Sequence, residues 1–221
     1  MGRLLVACVG ILFLTVESSG EEYRVVEDFS IGAPIAGGVP PNWHASQRDV
    51  LMSSVKDDGQ GRGNLVLSVD TQGGNTTIAK RFNYRVQQFP LLRWRWRVRA
   101  LPVGGREDQR QTGDSGAGIY VIFKGKLRLN RMIKYVWSSS LPEGTLTESP
   151  HNGRGKIIVV RSGSQDMGTW KNESANILDD YRRAFGESDP PEVEAIAIMS
   201  DADNTQSRAQ ADYDDLVVST Q

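Results

Sequence analysis

Residues 91–99 read LLRWRWRVR, and this run constrains the fold more than any other stretch of the chain. Tryptophan and arginine alternate strictly. A β-strand sends successive side chains to opposite faces. Trp94, Trp96 and Val98 therefore share one face, while Arg93, Arg95, Arg97 and Arg99 share the other. A helix would scatter both sets around its axis. The run predicts a strand with an apolar face turned to a core and a cationic face turned away from it. Four guanidiniums in a row repel one another unless anions lie between them. Carboxylates of neighbouring strands can supply those anions, or a ligand can, since arginine suits bidentate carboxylate or phosphate. On that ground Arg93, Arg95 and Arg97 are candidate ligand contacts.

Short apolar or alternating runs recur at 24–29, 49–55, 64–69, 76–82, 118–124, 132–138, 156–161, 193–200 and 213–219, with Gly-, Pro- and Asp-rich punctuation between them. Such spacing without alternating helices predicts an all-β fold: a β-sandwich of jelly-roll type, with about ten strands. One short accessory helix is expected near 172–185. There Ile177, Leu178, Tyr181, Ala184 and Phe185 fall on one face, Arg182 and Arg183 suit the last turn, and Gly186 suits a left-handed cap.

The chain of 221 residues is 38% hydrophobic, enough for one sizeable core, and residues 21–221 parse as a single domain. Its net charge of −1 argues against a dedicated nucleic-acid binder. The balance hides an asymmetry. Residues 80–134 hold fourteen Lys/Arg against three Asp/Glu, and residues 166–221 hold four against thirteen. Pairing of the two segments in space would neutralise both; a basic face for an acidic ligand is the alternative.

Residues 1–20 read as a signal peptide. Arg3 supplies the positive start, Leu4 to Val16 the apolar run, and Ser18 and Gly20 small residues for cleavage. Thirteen apolar residues are short for a membrane span. The alternatives are an uncleaved anchor and a lipoprotein box at Leu5-Val6-Ala7-Cys8, though the apolar run continues past that cysteine. A periplasmic or secreted protein is expected, with no membrane span after cleavage. Cleavage would remove Cys8, the single cysteine, and with it any disulfide or thiol ligand.

The strings FPLLRWRWRV, YVWSSSLPEGT, DYRRAFGESDPP and AIAIMSDADNT resemble a family of secreted bacterial proteins, domain-of-unknown-function family 3047. The likeness runs from about Val26 to Val218. That family has no assigned activity, so the resemblance implies one fold unit rather than a reaction. The tail ADYDDLVV departs from it, with Asp214 where a glycine is expected. More loosely, the chain is similar to jelly-roll carbohydrate-binding modules. Those open on an Asp-Phe strand with a nearby tryptophan, close on an Asp-Asp strand, and often hold a structural calcium between the two ends. Here the opening is Asp28-Phe29 with Trp43 and the close is Asp214-Asp215. The likeness implies Asp28 and Asp215 as calcium ligands, with Ser30 standing where the usual glutamate would be.

Other constellations are weaker. Asp201, Asp203 and Asn204 place oxygens at alternate positions and partly mimic a calcium loop, but Gln206 stands where an EF-hand turn needs glycine. They read as a polar turn, a non-EF cation site or a ligand-contacting loop. Gly113-Asp114-Ser115-Gly116 copies a serine-protease nucleophile string, yet the only upstream histidine is His44, 71 residues before Ser115. With two histidines, a multi-histidine zinc site is not available. Glycoside hydrolysis needs two carboxylates at a set separation, and Asp114 and Asp166 lie near aromatics in the sequence. Tyr120, Tyr135, Trp137 and Trp170 could stack on sugar rings or fill the core.

The expectation is an exported, non-catalytic domain binding an envelope or extracellular saccharide. Its candidate contacts are Tyr120, Tyr135, Trp137, Trp170, Arg93, Arg95, Arg97, Asp114, Asp201, Asp203 and Asn204. A polysaccharide hydrolase or lyase on a sandwich scaffold and a periplasmic assembly protein are the alternatives.

Overall fold

The computed structural model describes residues 20–30, 38–45, 53–61 and 63–220. The expected signal segment, Gly20 apart, and the start of the expected 49–55 strand lie outside the described residues. The elements in chain order are β1 (Tyr23–Glu27), β2 (His44–Ala45), β3 (Ser53–Asp57), β4 (Leu65–Gln72), β5 (Asn75–Tyr84), β6 (Leu91–Ala100), β7 (Ala117–Phe123), β8 (Arg131–Ser138), β9 (Leu146–Ser149), β10 (Asn152–Ser162), β11 (Lys171–Asn176), α1 (Ile177–Phe185), β12 (Val193–Asp201) and β13 (Arg208–Ser219).

Two sheets form a β-sandwich. One runs β11-β6-β13-β4-β3, with β1 beside the far half of β13; the other runs β2-β5-β12-β7-β8-β10-β9. The chain crosses from sheet to sheet between β4 and β5, β5 and β6, β6 and β7, and β12 and β13, as in a jelly roll. Strand β13 pairs with β4 through Tyr213, slips register beyond Asp214, and pairs with β1 from Leu216. Asp215 sits in that irregularity with φ 52°. Among the described residues, no helix is long and apolar enough to cross a membrane.

The core follows the two-residue period. Trp94, Trp96 and Val98 on β6 are buried, facing Ile133, Tyr135 and Trp137 on β8. The rings of Trp94 and Tyr135 lie 5.7 Å apart and those of Trp96 and Trp137 6.1 Å apart, an aromatic layer between the sheets. Three of its polar edges find partners, while Trp94 Nε1 is buried without one. Trp96 Nε1 donates to Glu173 at 3.0 Å, Trp137 Nε1 to the Gly163 carbonyl at 3.0 Å, and the Tyr135 hydroxyl to Asp180 at 2.9 Å. Tyr135 and Trp137, expected as ligand contacts, are thus completely buried core residues. Alternation placed them together on one face, and that face is the inner one.

The arginine face meets the acidic tail. Arg95 reaches Asp214 at 2.5 Å and Asp215 at 2.9 Å; Arg97 and Arg99 both reach Asp212, at 2.8 and 2.7 Å. Arg93 pairs with Glu21. Trp170 lies over the guanidiniums of Arg95 and Arg97, 4.5 and 4.7 Å from its ring centre. Strand pairing of β6 with β13 brings the cationic run against the anionic one, and so resolves the charge asymmetry of the sequence.

The helix begins later than its periodicity implied. Lys171–Asn176 is a strand paired with β6, because Glu173 is drawn in by Trp96 and Arg161. Asn176 then caps α1 by accepting from the Asp179 amide at 3.1 Å, and Gly186 closes it at φ 69°.

Candidate functional site

The outer face of the seven-stranded sheet carries a cleft of about 360 Å³. Its floor comes from the outward residues of central strands: Tyr120 on β7, Met132 and Lys134 on β8, Ile157 on β10, and Met199 and Asp201 on β12. Its walls are Glu107 and Gly113 from the β6–β7 loop, Pro150 and His151 from the β9–β10 turn, and Asp203 and Asn204 from the β12–β13 loop. A β-sheet face presents side chains of neighbouring strands at fixed spacing, so floor residues distant in sequence become adjacent.

Lys134 is the centre of the arrangement. Alternation along β8 sends Ile133 and Tyr135 inward, so Lys134 must point outward. It is only 6% exposed. Its ammonium donates to Ser115 Oγ at 3.0 Å and stands 5.4 Å from the centre of the Tyr120 ring. Burial pulls its pKa down, but Tyr120, Asp201 and Glu107 outweigh that and raise it, so the side chain stays charged. Gly118 makes room for it: a β-carbon there would come 3.0 Å from Lys134 Cε. Ser115, of the protease-like string, is completely buried and bonded to this lysine.

Carboxylates lie around the Lys134 ammonium. Glu107 is completely buried; its Oε2 accepts from Ser138 Oγ at 2.5 Å, and its Oε1 has no partner. Asp114, also completely buried, holds the β12–β13 loop. It accepts from the amides of Asn204 at 3.1 Å and Thr205 at 2.7 Å, and from Thr205 Oγ1 at 2.6 Å. One oxygen each from Asp114, Asp201 and Asp203 lie within 4.8 Å of one another. Burial pushes the Asp201 carboxyl up to about 7; Lys134 opposes the shift, and Asp203 and Asp114 add to it. The other lining ammonium, Lys156, is bound to Glu148. Tyr120 donates its hydroxyl to Met199 Sδ at 2.7 Å, and burial raises its pKa.

The residues expected from the sequence therefore divide three ways. Tyr120, Asp201, Asp203 and Asn204 line this cleft, and Asp114 braces it from below. Tyr135 and Trp137 are core. Arg93, Arg95, Arg97 and Trp170 lie on the opposite sheet, where acidic side chains occupy the guanidiniums of the three arginines. Lys134, Glu107, His151, Met132 and Met199 were missed. Alternation along β8 puts Met132 and Lys134 on one face; Glu107 and His151 sit in loops that carry no such signal.

Asp28 and Asp215, expected as calcium ligands from the resemblance, each have a protein partner. Asp28 Oδ1 accepts from the Ser30 amide at 3.0 Å, while Asp215 is neutralised by Arg95. A further groove of about 790 Å³, lined by Lys124, Lys126, Arg131, Arg154 and Phe185 among others, holds none of the expected residues.

Comparison with solved structures finds carbohydrate-active proteins at low identity. A family 30 carbohydrate-binding module has a TM-score of 0.46 and 9% identity, covering 88% of this chain and 98% of that one. TmCBM61, in complex with β-1,4-galactotriose, has a TM-score of 0.39 and 9% identity, covering 84% and 91%. A family 12 xyloglucanase from Bacillus licheniformis, in complex with ligand, has a TM-score of 0.42 and 8% identity, covering 89% and 92%. No curated protein matches the chain. The family described as protein of unknown function, DUF3047, matches residues 52–217, three quarters of the sequence, and the chain belongs to that family.

Proposed function

We propose that this protein is an exported, non-catalytic domain that binds a saccharide in the cleft on the seven-stranded sheet. One observation carries the reading: a floor in which Tyr120, Met132, Ile157 and Met199 lie beside Lys134 and Asp201 is walled by the hydrogen-bonding groups of Glu107, Asp203, Asn204 and His151. Sugar rings have apolar C–H faces and polar edges, and such a floor and rim complement them. A volume of about 360 Å³ suits one or two hexose rings. The floor rests on paired central strands, so it is largely pre-formed, which lowers the ordering cost of binding.

Isothermal titration with neutral, amino and acidic oligosaccharides tests this. At least one class should bind, and Tyr120→Ala should weaken that binding about tenfold or more through loss of ring contact. Silence across all three classes would remove the proposal.

A hydrolytic role is the second reading. Asp201, held partly protonated near neutral pH, and Glu107 are two carboxylates in one cleft. Release of reducing ends from a bound oligosaccharide would favour it over simple binding.

A further inference from the structure

We infer that the cleft selects a saccharide bearing a free amine, such as a deacetylated hexosamine, and rejects uronic acids. The inference rests on the saccharide reading above and names the ligand class for the same cleft.

The charge of the walls is one-sided. Glu107, Asp201 and Asp203 line the cavity, with Asp114 directly behind them. Against them stands Lys134, whose ammonium donates to Ser115 and whose charge is already opposed by Asp201 and Glu107. Lys156 is engaged by Glu148. A ligand carboxylate would enter a cleft rich in like charge, at a cost raised by the low local dielectric.

The second observation is the Glu107 carboxylate. It is completely buried, it lines the cavity, and Oε1 lacks any hydrogen-bond partner. A buried carboxylate oxygen left unmatched is costly, and native structures match such atoms with few exceptions. An ammonium can donate three hydrogen bonds and accepts none. One such group in the cleft would satisfy Glu107 Oε1 and offset the negative charge of Glu107 and Asp203, with Asp201 free to ionise beside it. A neutral hydroxyl could satisfy the oxygen but not the charge, and an acetamide would place a methyl group among the carboxylates.

The test is titration of the full chain, in the presence of EDTA, with four tetrasaccharide probes: glucosamine, N-acetylglucosamine, glucose and galacturonic acid oligomers. The glucosamine oligomer should bind about tenfold tighter than the glucose oligomer, the gain of a charge-assisted over a neutral hydrogen bond, and the galacturonate oligomer should not bind. Glu107→Gln and, independently, the partly exposed Asp203→Asn should each reduce the amine preference, with thermal melting confirming the fold. Equal binding of amine and glucose oligomers overturns the inference and leaves the saccharide reading standing. So does preference for the acetylated oligomer. Binding of the galacturonate oligomer overturns it as well, as does a requirement for added calcium, which would assign the acidic wall to a metal. An amine preference that survives both substitutions overturns the assignment to this wall. No binding of any oligomer removes the saccharide reading itself.

Discussion

The Tyr213 hydroxyl donates to the Met199 carbonyl at 2.8 Å, across the interior of the sandwich. Tyr213 belongs to β13 of the six-stranded sheet, and Met199 to β12 of the seven-stranded one. The same oxygen accepts from the Gly118 amide at 3.2 Å and meets Ser200 Oγ at 2.9 Å. Tyr213 is completely buried. One phenol thus fixes two strands of the cleft floor to the sheet beneath them, and it does so directly under Met199 and beside Gly118, the residue that leaves room for Lys134.

Tyr213→Phe keeps the ring and removes that link. The buried groups it leaves behind lose a partner, at a cost of about 1–3 kcal/mol. Urea denaturation should show a lower midpoint with an unchanged slope. An unchanged midpoint would mean that the hydroxyl does not join the sheets in solution.

Asp212 is the shared anion of Arg97 and Arg99 and is completely buried. Asp212→Asn leaves two adjacent guanidiniums without their counter-charge. The expected destabilisation is about 3 kcal/mol, reduced by the water that reaches Arg99. Replacing Arg97 and Asp212 together by apolar residues should cost less than the sum of the single changes, since only Arg99, which water reaches, is then left without its anion. A strictly additive double-mutant cycle would show that the pair is uncoupled.

Asp201 titrates at about 7 in the folded chain against an ordinary 3.8. Below about 4, folded and unfolded chains both hold the proton, and this group's contribution to stability is fullest. As pH rises toward 7 the unfolded chain releases its proton first, so the folded state binds more protons and the contribution is lost. Above that point it is level. Asp201→Asn should therefore gain stability relative to the parent as pH rises from about 4 to about 7, with a constant gap beyond. Denaturation curves that differ by the same amount at every pH would show that Asp201 ionises as in water.

Much of the architecture was legible in the strings themselves. The LLRWRWRVR alternation gave strand β6 and both of its faces, and the cap at Gly186 marked the end of α1. The start of α1 was less legible. Residues 172–176 were expected in the helix, yet their pairing with β6 and the bonds of Glu173 decide for a strand, since tertiary hydrogen bonds outweigh local preference. In the site, Tyr120, Asp201, Asp203 and Asn204, expected as ligand contacts, line one cleft, whereas Glu107 and Lys134 had not been singled out. A loop glutamate carries no periodic signal, and a lone lysine in an apolar strand reads as a solvated residue until its neighbours are known.

Sequence by itself determined which side chains travel together, because the two-residue period is a local property of extended backbone. It grouped Trp94 with Trp96, Tyr135 with Trp137, and Met132 with Lys134. Only the tertiary structure decided which group faces inward, because that depends on which strands lie alongside and which sheet covers them. The pairing of β6 with β13 turned the arginines into partners of Asp212 and Asp214. The packing of the two sheets sent Tyr135 and Trp137 into the core and left Lys134 among the carboxylates of two separate segments.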